Sequence, residues 1–204
     1  MKKKLSGSGT LLMSVIMSSP GPLVVGLGLL VGRSSTQIAD FVRRSCELLA
    51  IIASFFVYHV TNRGETPDTT KNVRLEQLSN RFVGAMMCLS GVIMLFLALL
   101  QHRTEKGNVI PGLVIAVLGV VANTIFWIRY TKLGRQTGNS ILLVQSRLYR
   151  AKSLVDFCVT IALTTVALFP SSRASYYLDI VGSVVVAAYL ISCGVKTMRE
   201  SWRA

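Results

Sequence analysis

The sequence predicts an all-α membrane protein in which six transmembrane helices form one bundle and both termini lie in the cytoplasm. Three observations carry that prediction. The 204-residue chain is 51% hydrophobic and only 15% charged, with a mean hydropathy of +0.55, a composition that fits a polytopic membrane protein rather than a soluble domain. Its apolar residues gather in six long segments. Its net charge of +13 falls mostly into alternate connections, as expected of basic residues that set membrane orientation. A charge distributed in that way argues against a nucleic-acid partner. The whole chain, 1–204, reads as a single transmembrane domain.

The first segment, about 11–32, follows a basic tail of Lys2, Lys3 and Lys4. Pro20, Gly21 and Pro22 predict a kink or break inside it. A cleaved signal peptide is the competing reading, but the uncharged run from Leu5 to Gly32 is far longer than a signal peptide's apolar region. The second segment, about 36–58, carries charges in its first half and is apolar in its second. The stretch Thr61 to Asn80 follows as a polar loop, with Gly64 and Pro67 as breakers. The third and fourth segments, 82–101 and 107–128, contain no charge, and each matches a hydrocarbon core of about 30 Å crossed at about 1.5 Å per residue. The fifth, about 148–169, carries Lys152 and Asp156; the sixth, about 175–193, carries Asp179. Pro170, Ser171 and Ser172 mark the turn between them.

Six crossings bring both ends to one side. With the N-terminus inside, the inner basic residues are Lys2, Lys3, Lys4, Arg63, Lys71, Arg74, Arg81, Arg129, Lys132, Arg135, Arg147, Arg150, Lys196, Arg199 and Arg203. The outer ones are Arg33, Arg103, Lys106 and Arg173. Fifteen against four is a strong positive-inside asymmetry.

Function is expected where the apolar segments are interrupted. Asp40, Arg43, Arg44 and Glu47 fall on one stripe of the second helix. A charge at mid-membrane costs about 2.5–3.5 kcal/mol on insertion scales, so this stripe should face a protein interior or a water-filled path. Counting from the outer end, Glu47 lies about 16 Å deep, and Asp156 lies about 12 Å from the inner end of its own helix. The two carboxylates are therefore expected to meet near mid-membrane. Asp40 and Asp179, each near the outer start of its helix, should line an outer vestibule. Arg43 precedes Glu47 by four residues and Lys152 precedes Asp156 by four, so each acid has a base within reach on its own helix. Structural salt bridges between the helices are the bland alternative for these pairs, and Lys152 can also snorkel toward the inner interface.

Other features point to packing. Cys46, Cys88, Cys158 and Cys193 are scattered singly with no CxxC pattern, as buried small hydrophobes are. Gly28-x-x-x-Gly32 suits close helix packing. His59 and His102 sit in connections on opposite sides and cannot share a site. Nothing resembles a Ser/His/Asp set or a glycine-rich phosphate loop, so an enzyme is not expected, nor any resident cofactor.

Four segments in order resemble the transmembrane domain of the cation diffusion facilitator family. TQIADFVRRSCELLAIIASFF resembles that family's second helix, KNVRLEQLSNRFVGAMM the approach to its third, RLYRAKSLVDFCVTIAL its fifth, and YYLDIVGSVVVAAYLI its sixth, with Asp179 at the recurrent acid. The resemblance implies a proton-coupled exporter of zinc or another divalent cation, a homodimer in the lipid bilayer, and a transport site on helices two and five. It also implies that the metal-binding positions are Arg43 and Glu47 on helix two and Lys152 and Asp156 on helix five. Two carboxylates, Glu47 and Asp156, remain there as possible metal ligands. Arg43 and Lys152 stand where the family has neutral or acidic donors. A guanidinium has no lone pair to offer and an ammonium repels a metal ion, so the site is atypical and the two basic residues modulate it. Relatives carry a cytoplasmic domain after helix six, whereas this sequence stops at Ala204, and a partner supplying that domain is one expectation. Two alternatives stand beside metal export: a transporter of a non-metal ion, and a non-transporting membrane module whose site has become salt bridges. The expected location is a prokaryotic inner membrane, as a multi-pass protein of the cell membrane.

Overall fold

The computed structural model describes residues 2–31, 35–63, 69–100, 110–168 and 173–203. Among them seven helices follow in chain order: α1 (Lys2–Ser18), α2 (Pro20–Val31), α3 (Ser35–Arg63), α4 (Thr69–Leu100), α5 (Ile110–Thr137), α6 (Ser140–Leu168) and α7 (Arg173–Arg203). Helices α1 and α2 are the two halves of the first predicted segment, so the architecture is the expected all-α bundle of six segments. By length and composition alone, Thr70–Leu99, Leu113–Thr137 and Ile180–Trp202 are each apolar enough to cross a membrane.

The break in the first segment falls where the prolines put it. Pro20 and Pro22 have no N–H, so the carbonyls of Ile16 and Ser18 lose their helical donors. The Ser19 hydroxyl donates to the Ile16 carbonyl at 2.9 Å and replaces one of them. Along α1, Thr10, Leu11 and Ser14 are buried while Leu12, Met13, Ile16 and Met17 are about half exposed, the pattern of a helix with one face toward lipid. Its inner face is polar and pairs with two tyrosines. Ser14 Oγ lies 2.7 Å from the Tyr130 hydroxyl on α5, and Ser18 Oγ lies 3.1 Å from the Tyr149 hydroxyl on α6.

Two expected loops prove to be largely helical. The polar stretch Thr61–Asn80 belongs to α3 as far as Arg63 and to α4 from Thr69, with 64–68 outside the described residues. Beyond Pro67 the run TTKNVRLEQLSN holds no glycine or proline and is rich in Lys, Arg, Leu, Glu and Gln, which are good helix formers. Polarity marked the membrane boundary there, not the helix boundary. Likewise α5 and α6 extend well past their apolar spans and meet in a two-residue turn. Gly138 adopts φ 66°, which ends α5, and Asn139 caps α6 by accepting from the Ile141 and Leu142 amides at 3.1 and 3.3 Å.

Helix α4 packs most extensively on α7, and α5 on α6. The first seam is a glycine contact. A Cβ at Gly84 would lie 2.9 Å from the Gly194 carbonyl oxygen, and one at Gly91 would lie 2.9 Å from that of Ala187. Close approach of this kind holds membrane helices together where lipid gives apolar side chains no reason to associate. Among the described residues Gly84, Gly91 and Gly194 show it. Gly32 and the surroundings of Gly28 lie outside the described residues.

Candidate ion site

Helices α3 and α6 run antiparallel, and polar pairs fix their register. Gln145 Nε2 of α6 donates to Ser54 Oγ of α3 at 2.7 Å, and on to the Ala50 carbonyl at 3.4 Å. Two turns farther along, the same register sets Lys152 opposite Glu47. The Lys152 ammonium lies 3.5 Å from Glu47 Oε2, while Arg43 Nη1 donates to Glu47 Oε1 at 2.9 Å. Glu47 is thus clamped, one cation on each oxygen, with its side chain only 7% exposed. On its other side the Lys152 ammonium lies 5.2 Å from the centre of the Tyr149 ring, in cation–π range. Tyr149 is itself stacked with Tyr130 and tilted against Phe126, with ring centroids 5.4 and 5.1 Å away, and is bonded to α1 through Ser18.

Asp156 has different surroundings. It points to α5, where Asn123 Nδ2 donates to its Oδ2 at 2.6 Å. A Cβ on Gly119, one turn along α5, would lie 2.9 Å from the Asp156 carboxyl carbon, so only glycine leaves room for the carboxylate there. Close by, Thr124 Oγ1 of α5 and Ser153 Oγ of α6 share a hydrogen bond of 2.7 Å. Among the described residues, no cation forms an ion pair with Asp156.

One sequence expectation is corrected here. Lys152 does not pair with Asp156 four residues on; it crosses to Glu47 on the neighbouring helix. Among the described residues Glu47 and Asp156 have different partners, Glu47 the cations Arg43 and Lys152 and Asp156 the Asn123 amide. The antiparallel register that places Lys152 against Glu47 carries Asp156 one turn farther along and around toward α5. Arg43 does pair with Glu47, as its spacing predicts. Arg44 turns to the other neighbour, its Nη1 lying 3.4 Å from where a Gly21 Cβ would be, beside the break between α1 and α2. The side chains of Asp40 and Asp179 lie outside the described residues, as does His102. His59 belongs to α3 rather than to a connection and stacks on Phe55 with centroids 5.7 Å apart. All four cysteines are free thiols, and among the described residues no three His, Cys, Asp or Glu side chains converge as a metal cluster.

A second polar region closes the end of the bundle where α5 turns into α6. Ser140 Oγ donates to Glu76 at 2.8 Å and receives Asn80 Nδ2 at 3.1 Å. Arg147 pairs with Glu200 at 2.6 Å, Ser201 Oγ donates to the Gln77 carbonyl at 2.8 Å, and Arg81 reaches the Ser201 carbonyl while lying over the Trp202 ring. A cleft of about 290 Å³ lies between these groups. Its acids are already bonded to neighbours, and the arrangement clasps α4, α6 and α7 together.

Asn123 and Gly119 escaped the sequence reading, although a signal for Asn123 was present. It opens the Asn-Thr pair that interrupts the apolar run of the fourth segment. Gln145 and the Tyr130–Tyr149 pair gave no such signal, since nothing in a one-dimensional pattern shows which polar residue faces inward.

A family model for the cation efflux transmembrane domain matches residues 11–204. No curated protein matches the chain.

Proposed function

The chain belongs to the cation efflux family, whose members are transporters rather than enzymes, and we propose that it is a secondary transporter exchanging a cation for protons across the membrane. The observation that carries this reading is Asp156: a carboxylate at the middle of a membrane helix, hydrogen-bonded by one neutral amide and, among the described residues, in no ion pair. Such a group is expensive to keep in a membrane and is a functional site by default. In this reading Asp156 is the exchangeable carboxylate. Glu47 has its charge matched within the protein by Arg43 and Lys152, which take the place that a carried ion has on the helix-two side. Alternating access follows when α3 and α6 shift against the other helices and turn Asp156 first to one side and then to the other. The multi-pass placement in a prokaryotic cell membrane, cytoplasmic termini and a homodimer belong to the same proposal, as do Asp40 and Asp179 as outer-vestibule groups.

A second reading draws support from the clamp itself. If the Arg43–Glu47–Lys152 bridge only holds α3 to α6, the protein is a non-transporting membrane module of the same fold. Flux into proteoliposomes under an imposed pH gradient separates the two. The ions run are Zn²⁺, Mn²⁺, Fe²⁺, Co²⁺, Na⁺ and K⁺, each with wild type and with the Glu47→Ala/Asp156→Ala variant. Flux of any of these in the wild type that disappears in the variant supports transport. Flat traces from folded wild-type protein favour the module.

A further inference from the structure

Arg150 stands apart from both the clamp and the end clasp. It is exposed on α6, and its guanidinium carbon lies 5.6 Å from the centre of the Trp127 ring on α5 and 5.8 Å from that of Tyr189 on α7. Both rings are in cation–π range, so one side chain links three helices. Among the described residues no carboxylate forms an ion pair with it. Glu200 on α7 is occupied elsewhere, with Oε2 2.6 Å from Arg147 and Oε1 4.0 Å from Lys196.

Depth and neighbours fit a lipid headgroup. Trp127 lies at the end of the uncharged fourth segment, just before Arg129, and Arg150 lies near the start of the fifth. The cation and its rings therefore sit at the basic boundary of the membrane span, where aromatic side chains gather. Two apolar tracks run from there into the membrane. On α6, Leu154, Phe157 and Ile161 follow Arg150 at spacings of four, three and four, which puts them on one face, and each is exposed. Helix α7 runs antiparallel to α6, since Arg147 meets Glu200 while Cys158 lies beside Gly182. On it Val185 and Val181 continue from Tyr189 in four-residue steps and are exposed as well. From Arg150 to Ile161 is about 16 Å at about 1.5 Å per residue, half of a hydrocarbon core of about 30 Å. That is the reach of an acyl chain in one leaflet.

We propose that an anionic phospholipid binds at this place, with its phosphate on Arg150 and its chains along the α6 and α7 tracks. A guanidinium can give a phosphate two parallel hydrogen bonds while it stacks on aromatic faces. Charge complementarity selects the headgroup: Arg150 brings a positive charge with no acid partner among the described residues, and Lys196, largely exposed, adds a second farther out on α7. The apolar tracks select a lipid over a soluble phosphate. Bound there, the lipid joins α6 to the helices on either side of it. The site does not depend on the transport reading, because a transporter and a silent membrane module would hold the lipid in the same way.

The test reads the fluorescence of Trp127 in the full chain carrying Trp202→Phe, which removes the other of the two tryptophans. Phosphatidylcholine nanodiscs receive a rising fraction of phosphatidylglycerol brominated on its chains, which quenches on contact, and brominated phosphatidylcholine is the reference. Saturable quenching by phosphatidylglycerol is expected at a fraction about fivefold lower than the reference needs, because a basic residue near the membrane surface contributes about that factor. In Arg150→Gln the two lipids should quench alike. Arg135→Gln removes the same charge from the exposed last turn of α5 and should leave the preference intact. Should Arg150→Gln fail to fold, Tyr189→Leu replaces it; loss of one ring from under the guanidinium should reduce the preference at least about twofold. Equal quenching by the two lipids in the Arg150-containing protein overturns the proposal, and is the result if a second copy of the chain covers this face. A preference that survives in the deciding variant overturns it too, as does one that Arg135→Gln removes, which would be surface charge in general. A preference abolished by excess inorganic phosphate would make the ligand a soluble anion and likewise overturn it.

Discussion

Glu47 and Asp156 are both carboxylates near the middle of membrane helices, and the bundle treats them in opposite ways. Glu47 is held by two cations from two helices and is almost fully enclosed. Asp156 is held by one neutral amide and rests against a glycine. The first arrangement satisfies a charge within the protein; the second leaves a carboxylate that, in the proposed reading, an exchanging ion or proton satisfies. Residue type and depth alone do not separate a structural carboxylate from a functional one. Their partners do.

Breaking the clamp should have the largest effect on stability. Glu47→Ala removes the buried carboxylate that Arg43 and Lys152 share, and about 3–5 kcal/mol of stability should be lost, read as a fall in the unfolding temperature in detergent or nanodiscs. If Glu47 bound the carried ion instead of holding the helices, flux would fall while the unfolding temperature barely moved. Replacing the clamp with apolar residues (Arg43→Leu, Glu47→Leu and Lys152→Met together) should recover most of the lost stability, since a buried ion pair exchanged for well-packed apolar side chains is often neutral. Failure to recover would mean that the clamp sets the register of α3 on α6 and not merely its charge balance.

Gly119→Ala sharpens the other side of the comparison. Its methyl group would press on the Asp156 carboxyl, so about 1–3 kcal/mol should be lost and the Asn123 hydrogen bond displaced. Unchanged thermal unfolding would show that the carboxylate moves aside freely. The smallest effect belongs to the end clasp. Glu200→Gln removes the pairing with Arg147, but Glu200 is about half exposed, so less than about 1 kcal/mol is expected at moderate salt. A larger loss by the same measurement would show that the clasp governs opening of that end.

The six segments and the kink at Pro20 were legible because each rests on local chemistry. Length, hydropathy, proline's missing N–H and helical spacing all act within one segment. The Arg43–Glu47 pair was legible for the same reason. Lys152 was misplaced because two partners competed for it, one at four residues on its own helix and one across the α3–α6 contact. Only the register fixed by Ser54 and Gln145 decides between them. Helix ends were missed at Thr69 and Thr137 because hydropathy marks where lipid ends, whereas the helix continues until Gly138 or a proline interrupts it. The Gly84–Gly194 seam could not be read at all, since α4 and α7 are joined by no sequence neighbour.

The account stands most directly on one comparison of cation flux in proteoliposomes: Asp156→Asn against the apolar clamp variant (Arg43→Leu, Glu47→Leu, Lys152→Met), both shown to be folded. Flux abolished by Asp156→Asn and retained in the clamp variant is the predicted result. Flux that survives in Asp156→Asn and disappears with the clamp would contradict it, and would move the ion site to Glu47.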